Sequence, residues 1–129
     1  MKYRPIVHRS ASATILFRLS KPIPVQQAAV TIVSVAGSLD ALTAPQLTQH
    51  FDAQLQAGNA KLVVDLANLD YTSSAGLRVL LNTVKEARTR GGDLRLAAVQ
   101  ANVKKVFDLS GFVSIMQFFP DVAAAVASF

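Results

Sequence analysis

Lys61-Leu62-Val63-Val64-Asp65-Leu66, followed by Tyr71-Thr72-Ser73-Ser74-Ala75-Gly76-Leu77-Arg78-Val79-Leu80-Leu81, carries the chain from one apolar run into another of different period. The first run is apolar in its middle and reads as a buried strand. In the second, apolar residues recur at Leu77, Leu80, Leu81, Val84 and Ala87, the three-then-four spacing of an amphipathic helix. Two hydroxyls, Ser73 and Ser74, therefore stand where a strand gives way to a helix. Serine is favoured at such a junction because its oxygen can accept one of the first unpaired backbone N–H groups. A plain helix cap is thus one reading of the pair.

The same alternation extends in both directions. Val30-Thr31-Ile32-Val33-Ser34-Val35 is β-branched on both faces, as a central strand requires. A short strand near Ile23 to Gln26 precedes it. Asp40 to Pro45 turns the chain, with Thr43 as a candidate cap and Pro45 suited to a first helical turn. Leu47, Phe51 and Leu55 then line one face of a helix that Gly58-Asn59 ends. The helix from Ser74 runs to about Arg90, closed by Gly91-Gly92, with Glu86 and Arg90 spaced to pair on its outer face. Leu94 to Val99 is a strand, and a helix from Gln100 or Asn102 stops at Gly111. Ser114 to Phe119 is a short strand, and Val122 to Phe129 a last helix behind Pro120-Asp121. Strands alternating with helices predict an α/β fold: a mixed, mostly parallel sheet of about four or five strands flanked by about four helices.

Composition bounds the function. The chain of 129 residues is one ordinary domain, and 51% hydrophobic residues argue against disorder of the whole. All of the +5 net charge sits in Lys2, Arg4, Arg9, Arg18 and Lys21; the other basic and acidic residues cancel. Residues 1–21 are therefore expected to be a flexible basic extension and residues 22–129 the folded domain. A neutral folded surface is not expected to bind nucleic acid directly. The longest uncharged run, Pro22 to Leu39, carries too many polar residues for a membrane span. The absence of cysteine fits a reducing compartment, the cytoplasm.

Catalytic patterns are missing. Thr72-Ser73-Ser74-Ala75-Gly76 lacks the first glycine of a hydrolase elbow. His8 and His50 lie in separate segments without an acidic partner at ligand spacing, so no metal and no general base is expected. Asp65 and Asp70 read as strand-end and turn residues. No Gly-x-x-x-x-Gly-Lys or Gly-x-Gly-x-x-Gly is present, so no nucleotide cofactor is expected. These features describe a binding module, not an enzyme.

Asp65-Leu66-Ala67-Asn68-Leu69-Asp70-Tyr71-Thr72-Ser73-Ser74-Ala75-Gly76-Leu77 resembles the signature of the STAS domain family. Gly37-Ser38-Leu39-Asp40 and Thr43-Ala44-Pro45-Gln46-Leu47 match upstream. Gly91-Gly92-Asp93-Leu94-Arg95-Leu96 and Val106-Phe107-Asp108-Leu109-Ser110-Gly111-Phe112 match downstream. The resemblance covers roughly residues 25 to 129 and is to the family's single-domain anti-sigma factor antagonists. It implies phosphorylation of Ser74, two places before the helix-start glycine, by an anti-sigma factor that is itself a serine-protein kinase, and reversal by a PP2C-type phosphatase. One position departs from the pattern: the family often has Asp where this chain has Ser73, which makes Ser73 a second candidate acceptor. The expected partner-binding residues are Asp40, Ser73, Ser74, Arg78, Asn82 and Lys85. The alternative is a non-phosphorylated STAS adaptor subunit of a lipid or anion transport complex.

Overall fold

A β-branched run cannot satisfy its backbone alone, and the longest one here is paired along its whole length. The computed structural model describes residues 6–9, 14–19, 23–25, 28–111 and 114–129. Three short strands, β1 (Ile6–Arg9), β2 (Thr14–Leu19) and β3 (Ile23–Val25), precede the long β4 (Ala28–Leu39). Then come α1 (Ala44–Gln56), β5 (Lys61–Asp65), β6 (Leu69–Thr72), α2 (Ser74–Thr89), β7 (Asp93–Ala97), α3 (Ala101–Ser110), β8 (Gln117–Phe119) and α4 (Val122–Ala127).

The sheet order is β1-β2-β4-β5-β7-β8, with β3 and β6 also paired to β4. From β4 through β5 and β7 to β8 all neighbours are parallel, and β6 runs parallel to the end of β4. These five parallel strands and four helices are the expected α/β architecture. The strands β1, β2 and β3 add antiparallel pairs. Two of them, β1 and β2, fall within residues 1–21, and the register Ile15 opposite Gly37 to Leu19 opposite Val33 carries strand pairing across the expected 21/22 division.

Alternation along β4 divides the core. Val33, Val35 and Leu39 pack with Leu62, Val64, Leu94 and Leu96 under α1, α2 and α3, where Phe51 and Phe107 are fully buried. Val30 and Ile32 face the opposite layer, with Val63, Ala97 and Ala125 of α4. The expected Glu86–Arg90 pair forms at 3.1 Å on the exposed face of α2. Arg90 also donates to the carbonyl of Leu55, which ties α2 to the end of α1. Gly111 ends α3 in the left-handed region at φ +78°, and Asp121 caps α4 by accepting the Ala124 amide at 2.7 Å.

Two local expectations are corrected. Leu69–Thr72, read as part of a turn, is β6; its Tyr71 and Thr72 pair with Ser38 and Leu39 after a register shift. Thr43 precedes α1 but its side chain does not cap it. The Thr43 hydroxyl instead accepts the Asp40 amide at 2.9 Å, while the Asp40 carboxylate accepts the amides of Leu42 and Thr43.

A buried carboxylate joins four segments. Asp93, at the start of β7, accepts from Arg88 at 2.9 Å, from Arg95 at 3.1 Å and from the Leu94 amide at 2.9 Å. Arg88 reaches on to the Ile115 carbonyl and Arg95 to the Ser128 hydroxyl, with the Arg95 guanidinium 4.0 Å from the centre of the Phe129 ring. Removing the carboxylate leaves charged donors without their acceptor. Asp93→Ala is expected to lower the unfolding free energy by about 1–3 kcal/mol, read by urea denaturation.

Candidate functional site

The elements converge where β4 and β6 end and α2 begins. The Ser73 amide donates to the Leu39 carbonyl at 2.8 Å, and the Ser73 carbonyl accepts the Leu77 amide at 3.2 Å. One residue therefore closes the sheet and opens the helix. The buried Thr72 hydroxyl donates to the same Ser73 carbonyl at 3.1 Å. Gly76 lies directly over this joint: a Cβ there would stand 2.7 Å from the Leu39 side chain and against the Thr72 hydroxyl. Only a residue without Cβ lets α2 approach β4 this closely.

The two serines occupy different environments. Ser73 is the N-cap residue in extended conformation, but its hydroxyl makes no cap bond; that oxygen is enclosed and has no hydrogen-bond partner. The expected plain serine cap is not how α2 starts. Ser74 is the first helical residue and is exposed. Of the two candidate acceptors, Ser74 is the one whose hydroxyl an incoming macromolecule can reach. Among the described residues neither hydroxyl is bonded to a histidine or a carboxylate, and no group of three or more metal-ligating side chains occurs. His50 sits half-buried on α1, where desolvation pushes its pKa down.

Beside Ser74, α1 and α2 enclose an open groove of about 500 Å³. Ala41, Ala44, Pro45, Ala75 and Val79 make its apolar floor, and Arg78 and Asn82 stand on its polar side. Ser74, Arg78, Asn82 and Lys85 are all exposed on α2, at spacings that place them along one stripe. Arg78 and Asn82 share the groove; Lys85 lies further along and does not line it. Asp40 is close in sequence to the groove, but its carboxylate is turned inward to hold the β4–α1 turn.

Two residues absent from the sequence expectation belong to this end of the sheet. Leu42, in the turn after β4, is 64% exposed, and Tyr71, in β6, is 52% exposed. Neither lines the groove, but large side chains left this open are the usual material of a docking surface. The signal for Tyr71 was present, as the aromatic residue of the quoted signature. Gln100 is the N-cap residue of α3, as expected, but its side chain donates to the Ala67 carbonyl and not to the helix, while Asn102 donates to the Asp70 carbonyl; the two brace β6 and the loop before it.

The site thus combines an exposed hydroxyl with an apolar groove on an α/β domain. The STAS domain profile matches residues 7–125, and the chain belongs to that family. The BtrV protein of Bordetella bronchiseptica, named provisionally as an anti-sigma factor antagonist, is 40% identical over 98 residues, spanning 76% of this chain and 84% of that protein. An anti-sigma factor antagonist from Mycobacterium paratuberculosis superposes with a TM-score of 0.71 at 22% identity, over 98% of this chain and 93% of that one. The Bacillus cell-fate determinant SpoIIAA in its phosphorylated form superposes with a TM-score of 0.65 at 18% identity, over 87% and 97% of the two chains. No helix among the described residues is long and apolar enough to cross a membrane.

The close approach at Gly76 generates a direct test. Gly76→Ala is expected to destabilise the domain by about 1–3 kcal/mol through overpacking, although alanine is the better helix former. Thermal unfolding checks the sign; an unchanged or raised midpoint would mean that α2 does not seat on Leu39 as described.

Proposed function

We propose that this protein is an anti-sigma factor antagonist of the cytoplasm. In its unmodified form it holds an anti-sigma factor that is also a serine-protein kinase. Phosphorylation of Ser74 by that partner ends the hold, and a PP2C-type phosphatase restores it. The observation that carries the reading is the contrast at the helix start: Ser74 is exposed beside an apolar groove, whereas the Ser73 hydroxyl is enclosed. The antagonist names of relatives support it, as does the phosphorylated form known for SpoIIAA.

Electrostatics gives the mechanism. A phosphate adds about −1.5 to −2 charges at neutral pH. At the first residue of α2 that charge meets unpaired N–H groups and the positive end of the helix, a gain of roughly 0.3–1 kcal/mol. The domain that carries the modification is therefore not weakened by it. A docked partner is: a surface that accepts a neutral hydroxyl must now desolvate a dianion or oppose it with like charge, at several kcal/mol. About 4 kcal/mol is roughly a thousandfold in affinity. Control by dissociation follows without rearrangement of the fold. Arg78, Asn82 and Lys85, with Leu42 and Tyr71, are the contact residues in this reading; Asp40 acts by shaping the turn.

Isothermal calorimetry against the anti-sigma factor kinase of the same genome tests the switch. Ser74→Ala is expected to retain wild-type affinity and Ser74→Asp to lose at least about tenfold, or 1.4 kcal/mol. Equal affinities would place the control elsewhere. Recovery of a transporter ATPase and no kinase in an affinity pull-down would support the adaptor reading instead.

A further inference from the structure

The surface around Ser74 carries a cation that charge repulsion alone leaves without a role. Arg88, Arg90, Arg95 and Lys104 each form an ion pair, whereas Arg78 forms none among the described residues and is exposed. It follows Ser74 by four residues, the spacing that puts two side chains on one helical face. Helical Cα–Cβ bonds tilt toward the N-terminus, so a side chain as long as Arg78 can reach back to the turn that Ser74 opens. Two nearby carboxylates are engaged: Asp40 holds the amides of Leu42 and Thr43, and Glu86 is paired with Arg90. Asp52, in a pocket that shares Thr48, Val79 and Asn82 with the groove, and Asp70, in β6, are exposed, and neither forms an ion pair among the described residues, Arg78 included.

We propose that phosphate on Ser74 is held by Arg78 of the same helix, so that modification withdraws the groove's free cation from a partner as well as adding negative charge. This rests on Ser74 being the phosphorylation site. A guanidinium presents paired N–H donors that match two phosphate oxygens, a geometry lysine does not offer. Because the phosphate is covalently attached one turn away, it competes for Arg78 as an intramolecular ligand against any carboxylate of a docking protein. The switch then has two parts: a repulsive charge is added, and the cation one turn along the same helical face, Arg78, is neutralised.

The test needs no kinase. Phosphoserine is installed at position 74 during translation, and ³¹P NMR follows the second ionisation of the phosphate, near pH 6 for the free group. The helix terminus lowers this midpoint in every variant and cancels in the comparison. The wild-type midpoint is expected to lie at least roughly 0.3 unit below that of Arg78→Gln, about a twofold change in proton affinity. Arg78→Lys is expected to recover only part of that difference, and the Arg78 Nε–H resonance to shift on modification. Equal midpoints in wild type and Arg78→Gln, with an unmoved Nε–H resonance, would overturn the pairing. That result would leave the switch at Ser74 standing. Conversely, a failure to find phosphorylated Ser74 in cells would remove the proposed function and leave the pairing measurable.

Discussion

The 2.8 Å hydrogen bond from the Ser73 amide to the Leu39 carbonyl fixes where the sheet ends and α2 begins. Its neighbours reinforce that one junction. Tyr71 and Thr72 pair with Ser38 and Leu39, and Gly76 lets the first turn of the helix rest on Leu39. Leu39 is itself fully buried. A shift of one residue at this joint would rotate α2 by about 100°. It would carry Ser74 off its exposed position and pull Leu77, Leu80, Leu81 and Val84 out of the core. The position of Ser74 is therefore set by packing, with no hydrogen bond to its own hydroxyl among the described residues.

Most of the architecture was legible in the sequence because burial imposes a period. Leu77, Leu80, Leu81, Val84 and Ala87 are all buried where the helical spacing places them. Val63 and Val64 of β5 face opposite layers, as a central strand demands. The strand β6 was not legible for a physical reason. It is four residues long, two of them exposed, and it pairs with β4 some thirty residues earlier instead of with its sequence neighbour β5. The Asp93 cluster was equally hidden, since its arginines come from α2 and β7 and their further contacts from the segment before β8 and the chain end.

At the site, the family resemblance put Ser74 first and Ser73 second, whereas residue type and spacing alone did not separate them. Ser73 is the extended residue before α2 and Ser74 its first helical residue, and that change of backbone conformation turns one hydroxyl inward and leaves the other residue exposed. The same limit applied to Asp40 and Thr43. Both were correctly placed at the turn before α1, but that each side chain accepts the other's amide and neither caps the helix depended on geometry that spacing does not encode. Leu42 was missed because a single apolar residue in a loop has no period to mark it. Its exposure gains meaning only beside Tyr71 and the groove.

In the proposed mechanism, charge placed on Ser74 acts on a partner and spares the domain that carries it. Native-state amide hydrogen exchange, comparing the unmodified chain with one bearing phosphoserine at position 74, tests this most directly. Protected amides of β4, β5, β7 and α2 are expected to exchange at the same rate or more slowly after modification. Exchange accelerated across those elements, by tenfold or about 1.4 kcal/mol of opening free energy, would contradict it and place the switch in the fold itself.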